Sequence, residues 1–226
     1  MPDDDVETDA RAAERLTFFS DAVVAIAMTL LAIDLPVPEG GTVTAFWDSV
    51  RHDDGHYLAF LVSFVVIAAA WSDHHRMFRF VRRTDNRLRL LNTCWLFAIV
   101  LNPFATKLLT TGVQTTATHA LRFGFYALLQ VLESGMLYAM LRHMITRELA
   151  PGIPDREASG MAGQSLGLML GFGLSIPVFF ATTYGWVLWF AVPLLVNRLL
   201  LRRRRSREAA VSRDDARPGP RTPPPA

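Results

Sequence analysis

The chain has 226 residues, 23 basic against 21 acidic side chains, a formal net charge of +2 and a 51% apolar composition. Soluble proteins run to ~45–50% apolar, but here the distribution is uneven: no charge stands between Ala158 and Asn197, and nine arginines follow from Arg198 onward. A single cysteine, Cys94, excludes a disulfide framework, and the apolar mass excludes collagen-like and wholly disordered chains.

A hydrocarbon core of ~30 Å takes ~20 apolar helical residues to cross, and six segments approach that length. Residues 1–14 come first. They form an acidic stretch without the basic n-region or cleavage site of a signal peptide, and are read as a disordered tail before a retained first span. Leu16–Leu35 is then apolar apart from Asp21, Asp34 and a few hydroxyls. Tyr57–Trp71 is uncharged and extends toward Phe80. Leu90–Thr106 is uncharged between Arg89 and Lys107, and Phe123–Leu141 carries the one charge of Glu133. The uncharged block from Ala158 is too long for one crossing, and Thr182-Thr183-Tyr184-Gly185 divides it into Ser159–Ala181 and Trp186–Leu201. Residues 203–226, rich in Arg and Pro, cannot bury a core and read as a disordered tail. Arg202–Arg205 read as an inner-side anchor ending the last helix. The expected fold is all-α: a polytopic membrane domain over residues 15–202 with six transmembrane helices.

An even number of spans puts both termini on one side. With the N and C termini cytoplasmic, Arg11, Arg15, the six arginines from Arg76 to Arg89, Arg142, Arg147, Arg156 and the nine from Arg198 onward face inward. Only Arg51, Lys107 and Arg122 then face outward. That asymmetry follows the positive-inside rule and supports six spans in a multi-pass membrane protein. Topology accounts for the basic residues, which have no interleaved aromatic groove, so no nucleic-acid partner is expected.

Polar residues inside spans are costly and default to pairing or functional roles. The first span opens Arg15-Leu-Thr-Phe-Phe-Ser-Asp21, and helical spacing puts Phe19, Ala22, Ile26, Thr29, Leu30 and Ile33 on or near one face. A lipid-facing or core stripe accounts for that face, and Arg15 as an anchor or Ser20 or Asp21 as a cap are ordinary readings. They do not account for Arg, Ser and Asp standing together where the helix enters the membrane. In the second span, His74 and His75 are adjacent, so their side chains point ~100° apart and cannot share one ion on a straight helix. No metal or cofactor is expected. A hydrogen-bonded cluster at the inner surface, with one imidazole partnered by an acid of another helix, fits better; Asp85, Asn86 and Asn92 follow. A hydrolase assembled from Ser20, His75 and Asp85 lacks a nucleophile elbow. Glu133, near Gln130 and Ser134, suits a hydrogen-bonded interior position, with a proton relay as the other reading. Gly163, Gly167 and Gly171 at four-residue spacing allow another helix to come close, and Pro103, Pro177 and Pro193 are kink candidates.

Arg15-x-x-x-Phe19-Ser20-Asp21 with the apolar run that follows resembles the opening motif of the transmembrane protein 175 family, the endolysosomal-type potassium channels. Trp71-x-x-His74-His75-x-x-Phe78, Asp85, Leu91-Asn92 and Pro103-Phe104-x-Thr106 are similar to its second- and third-helix signatures. The resemblance covers Arg15 to Thr106 by motif and the remainder by span count. It implies a potassium channel, not an enzyme, without the TVGYG filter of ordinary potassium channels. First helices surround the axis, with Ile26 as the constriction, Leu30 and Ile33 beyond it, and Thr29 as the hydroxyl layer that prefers potassium. Arg15, Ser20, Asp21, Trp71 and either His74 or His75 form the polar network holding that helix. Animal members contain two six-helix repeats, whereas Phe-Ser-Asp occurs once here, so the resemblance implies a homotetramer in the lipid bilayer of the bacterial inner membrane, with potassium as the permeant ion. The alternative from the residues is a proton-coupled transporter or membrane enzyme using Glu133 and the His74-His75 region.

Overall fold

The structure, a computed structural model, describes residues 2–112, 115–196 and 198–199, and every regular element among them is helical. The helices are α1 (Pro2–Ile33), α2 (Val43–His52), α3 (Asp54–Phe78), α4 (Asn86–Thr110), α5 (Thr116–Thr146) and α6 (Asp155–Phe179). A 3-10 turn at Thr183–Trp186 leads into a short apolar helix, α7 (Tyr184–Val196). Five helices are long and apolar enough to cross a membrane: Arg11–Ile33 of α1, then α3, α4, α5 and α6. The expected sixth segment is met in part. As described, α7 is shorter than one crossing, and 200–202 and the 203–226 tail lie outside the described residues.

Local chemistry explains the helix boundaries. α1 begins at Pro2, so the acidic stretch read from sequence as a tail is helical. It stops before Leu35-Pro36, because the residue ahead of a proline avoids the α region. Thr42 caps α2 by accepting from the Ala45 N–H at 3.2 Å. Asp85 caps α4, taking the Leu88 N–H at 2.7 Å, and Gly112 with φ +73° ends it in the left-handed conformation that glycine tolerates. Thr115 and Thr118 form a capping box at the start of α5. The α5 C-terminus closes through Glu148 at φ +52°, with the Leu149 N–H returning to Met144 O at 2.9 Å.

Packing divides the bundle in two. α1 lies on α3 and α4 around Val24, Leu31, Ile67, Trp95 and Ile99. α5 runs between α4 and α6, and the second core gathers Tyr126, Phe172, Phe179 and Trp189. The α6 glycines bring α7 close, as their spacing predicts. A Cβ on Gly171 would lie 2.9 Å from Leu188 O and 3.1 Å from Pro193 Cδ, and one on Gly167 would lie 3.3 Å from Pro193 Cα. Trp189 Nε1 fastens the pair by donating to Ser175 Oγ at 2.8 Å.

The two loops rich in arginine meet at one end of the bundle. The Arg82 and Arg83 N–H groups both donate to Leu149 O, at 2.9 and 3.3 Å, joining the α3–α4 and α5–α6 connections. The opposite end carries α2, an amphipathic helix whose Phe46 and Trp47 are exposed.

Candidate functional site

α1 presents two unlike faces. Toward α3 and α4 it buries Ser20, Val24, Ala27 and Leu31, a stripe at helical spacing, with Ser20 at 0% exposure. Phe19, Ala22, Thr29 and Leu30 point elsewhere and are exposed, as are Ile26 at 60% and Ile33 at 74%. Thr29 spends its hydroxyl proton on Ile26 O at 2.8 Å, which leaves oxygen lone pairs for an outside partner.

The buried face is held by a directed chain of hydrogen bonds. Ser20 Oγ donates to Leu16 O at 2.8 Å, so its oxygen can accept from Asn92 Nδ2 at 2.9 Å. That orients the amide, leaving Asn92 Oδ1 to accept from His74 Nε2 at 2.7 Å. The imidazole therefore carries its proton on Nε2. It is fully buried, stacked between Phe78 and Trp95 with ring centroids 4.1 and 4.3 Å away. One line of polar atoms thus ties α3, α4 and α1 together where apolar packing alone would let the helices slide.

A second branch holds Asp21. Trp71 Nε1 donates to Asp21 Oδ1 at 2.8 Å, and His75 Nδ1 lies 3.6 Å from Oδ2. The two histidines left open by sequence therefore divide the work: His74 serves Ser20 through Asn92, and His75 stands beside Asp21. Arg15 is exposed, with no polar partner among the described residues, so it does not join this network. Asp85 lies apart from it as well, linking the arginine-rich ends of α4 and α5 through a 2.7 Å contact with His143 Nε2. Desolvation draws the Asp85 carboxyl upward, but the Leu88 N–H, His143 and Arg147 outweigh it and hold the group below its ordinary value of 3.8.

Deeper in the bundle lies a polar group that sequence noticed only at its ends. Glu133 Oε1 accepts from Asn102 Nδ2, and Gln130 Nε2 donates to Asn102 Oδ1 at 2.7 Å. One turn along α4, Thr106 Oγ1 lies 2.7 Å from Ser63 Oγ, which donates to the Tyr126 hydroxyl at 3.2 Å. Asn102, Ser63, Tyr126 and His143 were missed because a lone polar residue in an apolar span carries no spacing signal. The one available cue was Asn102 standing directly before Pro103.

Fold and site define a multi-pass helical membrane protein whose first span is pinned by polar contacts on one face and bare on the other. Residues 15–103 match the family described as endosomal/lysosomal potassium channel TMEM175. A Streptomyces collinus protein named as a potassium channel is 32% identical over 58% of this chain and 63% of its own length. A Chamaesiphon minutus potassium channel is 38% identical over 42% of this chain and 48% of its own length. The aligned part thus spans less than two thirds of these relatives. The crystal structure of a lysosomal potassium-selective channel TMEM175 homolog from Chamaesiphon minutus superposes with a TM-score of 0.65 at 25% identity, covering 85% of this chain and 98% of that one. The chain is thus similar to the TMEM175 family in sequence over its first three long helices, and to a TMEM175 homolog in fold over most of its length.

Proposed function

We propose that the chain is one subunit of a homotetrameric, potassium-selective channel in which α1 of each copy lines the pore. The observation that carries this is the split character of α1. Ile26, Leu30 and Ile33 stand bare while the reverse face is fastened by Ser20 and Asp21. A branched aliphatic ring closes a pore to ions by dewetting, and the neighbouring Thr29 oxygens can replace part of a cation's hydration shell. Relatives named as potassium channels support the permeant ion, and nothing in this reading calls for an enzyme.

In this reading six spans cross a bacterial inner membrane, α7 with the residues after it forming the last. The arginine-rich end faces the cytoplasm together with both termini, and α2 rests on the outer side. The role of Arg15 is then at the cytoplasmic membrane surface, since it stands outside the Asp21 network. Purified protein in liposomes should release potassium faster than sodium, and Ile26→Asn should raise conductance or relax that preference. Wild-type protein that stays folded and tetrameric, yet carries no potassium down its gradient, would overturn the proposal.

A further inference from the structure

Glu133 sits midway along α5 with 1% of its surface exposed, and its Oε2 has no hydrogen-bond partner. Its neighbours are neutral: Asn102 from α4, Gln130 and Tyr126 from α5 itself, and Ser63 of α3 at one remove. From α6 and α7 no charged side chain approaches, since none stands between Ala158 and Val196, and the phenol of Tyr184 is exposed. Tyr126, two turns back along α5 and hydrogen-bonded to Ser63, is the titratable neighbour on the same helix. A carboxylate in such surroundings has one amide donor to offset the loss of water, which is far too little for a full charge.

The α2 end supplies a way in. A cavity of about 150 Å³ opens between α1, α3 and α4, with Asp34, His56 and Lys107 among its lining and Pro103 and Thr106 on its floor. That is room for several waters. Thr106, which lines the cavity, donates to Asn102 O at 2.8 Å, so one turn of α4 separates the cavity from the amide that serves Glu133.

We propose that Glu133 is a proton-binding site inside each protomer, loaded from water in this cavity and read out through α4. The proton passes from cavity water to Oε2 and returns by the same way. α4 is already weakened here, because Pro103 lacks the N–H that would bond to Ile99 O. Asn102 Nδ2 compensates by lying 3.3 and 3.4 Å from Ala98 O and Ile99 O while also serving Glu133. Two amide hydrogens thus meet three acceptors. An ionised Glu133 pulls Asn102 toward itself and releases the carbonyls, so α4 bends at Pro103. The bend reaches α1 through the Lys107–Asp34 ion pair at 2.7 Å. Its effect on ion flux rests on α1 lining the pore, as proposed above; proton binding itself does not.

Infrared spectra of the purified full chain over a pH series test the binding. A neutral-carboxyl band should persist above the pH at which ordinary carboxyls ionise, vanish on further rise, and be missing over that range from Glu133→Gln. Thermal unfolding should show a wild-type midpoint that falls as pH rises up to that range and levels off above it, a fall that is absent from Glu133→Gln. Should that variant fail to fold, Asn102→Leu keeps the carboxyl but removes its donor, and the band should then vanish at higher pH. Potassium efflux from liposomes should change over the same pH range in the wild type alone. A band above the range of ordinary carboxyls, or the same fall in midpoint, that survives Glu133→Gln overturns the site. A titrating band with potassium flux indifferent to pH overturns the read-out through α4 while leaving the proton site standing.

Discussion

Asp85 answers two demands with its two oxygens: Oδ1 caps α4 and Oδ2 meets His143. The substitutions Asp85→Asn and Asp85→Ala separate them, since asparagine still caps and alanine does not. Loss of a cap costs about 0.5–2 kcal/mol, so Asp85→Ala should lower the unfolding midpoint more than Asp85→Asn. Because the native carboxyl titrates below its ordinary value of 3.8, its contribution is complete above that value and lost as pH falls through the lower native one. Thermal unfolding in acid should therefore show a loss in the wild type that Asp85→Asn lacks; equal losses in both would dismiss the pairing. Asn92 poses a sharper case, as it serves Ser20 and His74 together. Asn92→Leu leaves the buried His74 Nε2–H without an acceptor and takes a donor from Ser20 Oγ, which keeps its bond to Leu16 O, and should cost about 1–3 kcal/mol. Paired with Ser20→Ala, the loss should be smaller than the sum of the two single changes, as a double-mutant cycle would read. The names of this network came from the resemblance carried by the motifs that hold Ser20, Asp21, Trp71 and His74. Their pairing was beyond it: helical spacing places a side chain on a face, but which histidine meets which partner depends on how α3 and α4 are rotated against α1. Arg15 shows the same limit from the other side, since its membership in the motif says nothing of where a long side chain ends up.

At the scale of the helices, length and apolar content made the long spans readable, because a bilayer sets a minimum that few soluble helices reach. α2 escaped notice for the converse reason. It is 10 residues long and amphipathic, so neither its length nor its mean hydropathy separates it from a loop. The close pairing of α6 with α7 was foreseeable from the glycine spacing, although the partner was not. That contact makes a graded prediction. Gly171→Val forces branched carbon against Leu188 O and Pro193, where even a Cβ would sit at 2.9 and 3.1 Å. Overpacking of this kind costs about 1–3 kcal/mol, so the variant should unfold earlier and expose Trp189 to a fluorescence quencher. Gly173→Ala is the control on the same helix, since its Cβ would meet only Val131 Cγ2 at an ordinary 3.7 Å. It should match the wild type or exceed it slightly, because alanine also lowers the entropy lost on forming the helix. If Gly173→Ala destabilised as much as Gly171→Val, the close approach of α7 would not be the cause.

For the whole molecule, the bare face of α1 is the surface that the proposed tetramer would have to bring together. Burying Ile26 or Ile33 against lipid satisfies their hydrophobicity, so exposure by itself does not demand a partner. A pore does, because it brings the same face of several copies to one axis. Cysteine cross-linking distinguishes the two arrangements once Cys94 is replaced by alanine. In a tetramer with α1 at the axis, Ile26→Cys places like side chains near one another across the pore, and disulfides form when Cα atoms lie within about 7 Å. Mild oxidation in native membranes should then give a band at twice the monomer mass. Val24→Cys, only two residues away, faces α3 and α4 and is 1% exposed, so it should remain monomeric under the same oxidant. Thr29→Cys lies near the Ile26 stripe and should cross-link as well. Cross-linking by Val24→Cys as strong as by Ile26→Cys would mean random collision in the membrane. Absence of any Ile26→Cys dimer, with the protein still tetrameric by size, would place α1 away from the axis and the pore elsewhere.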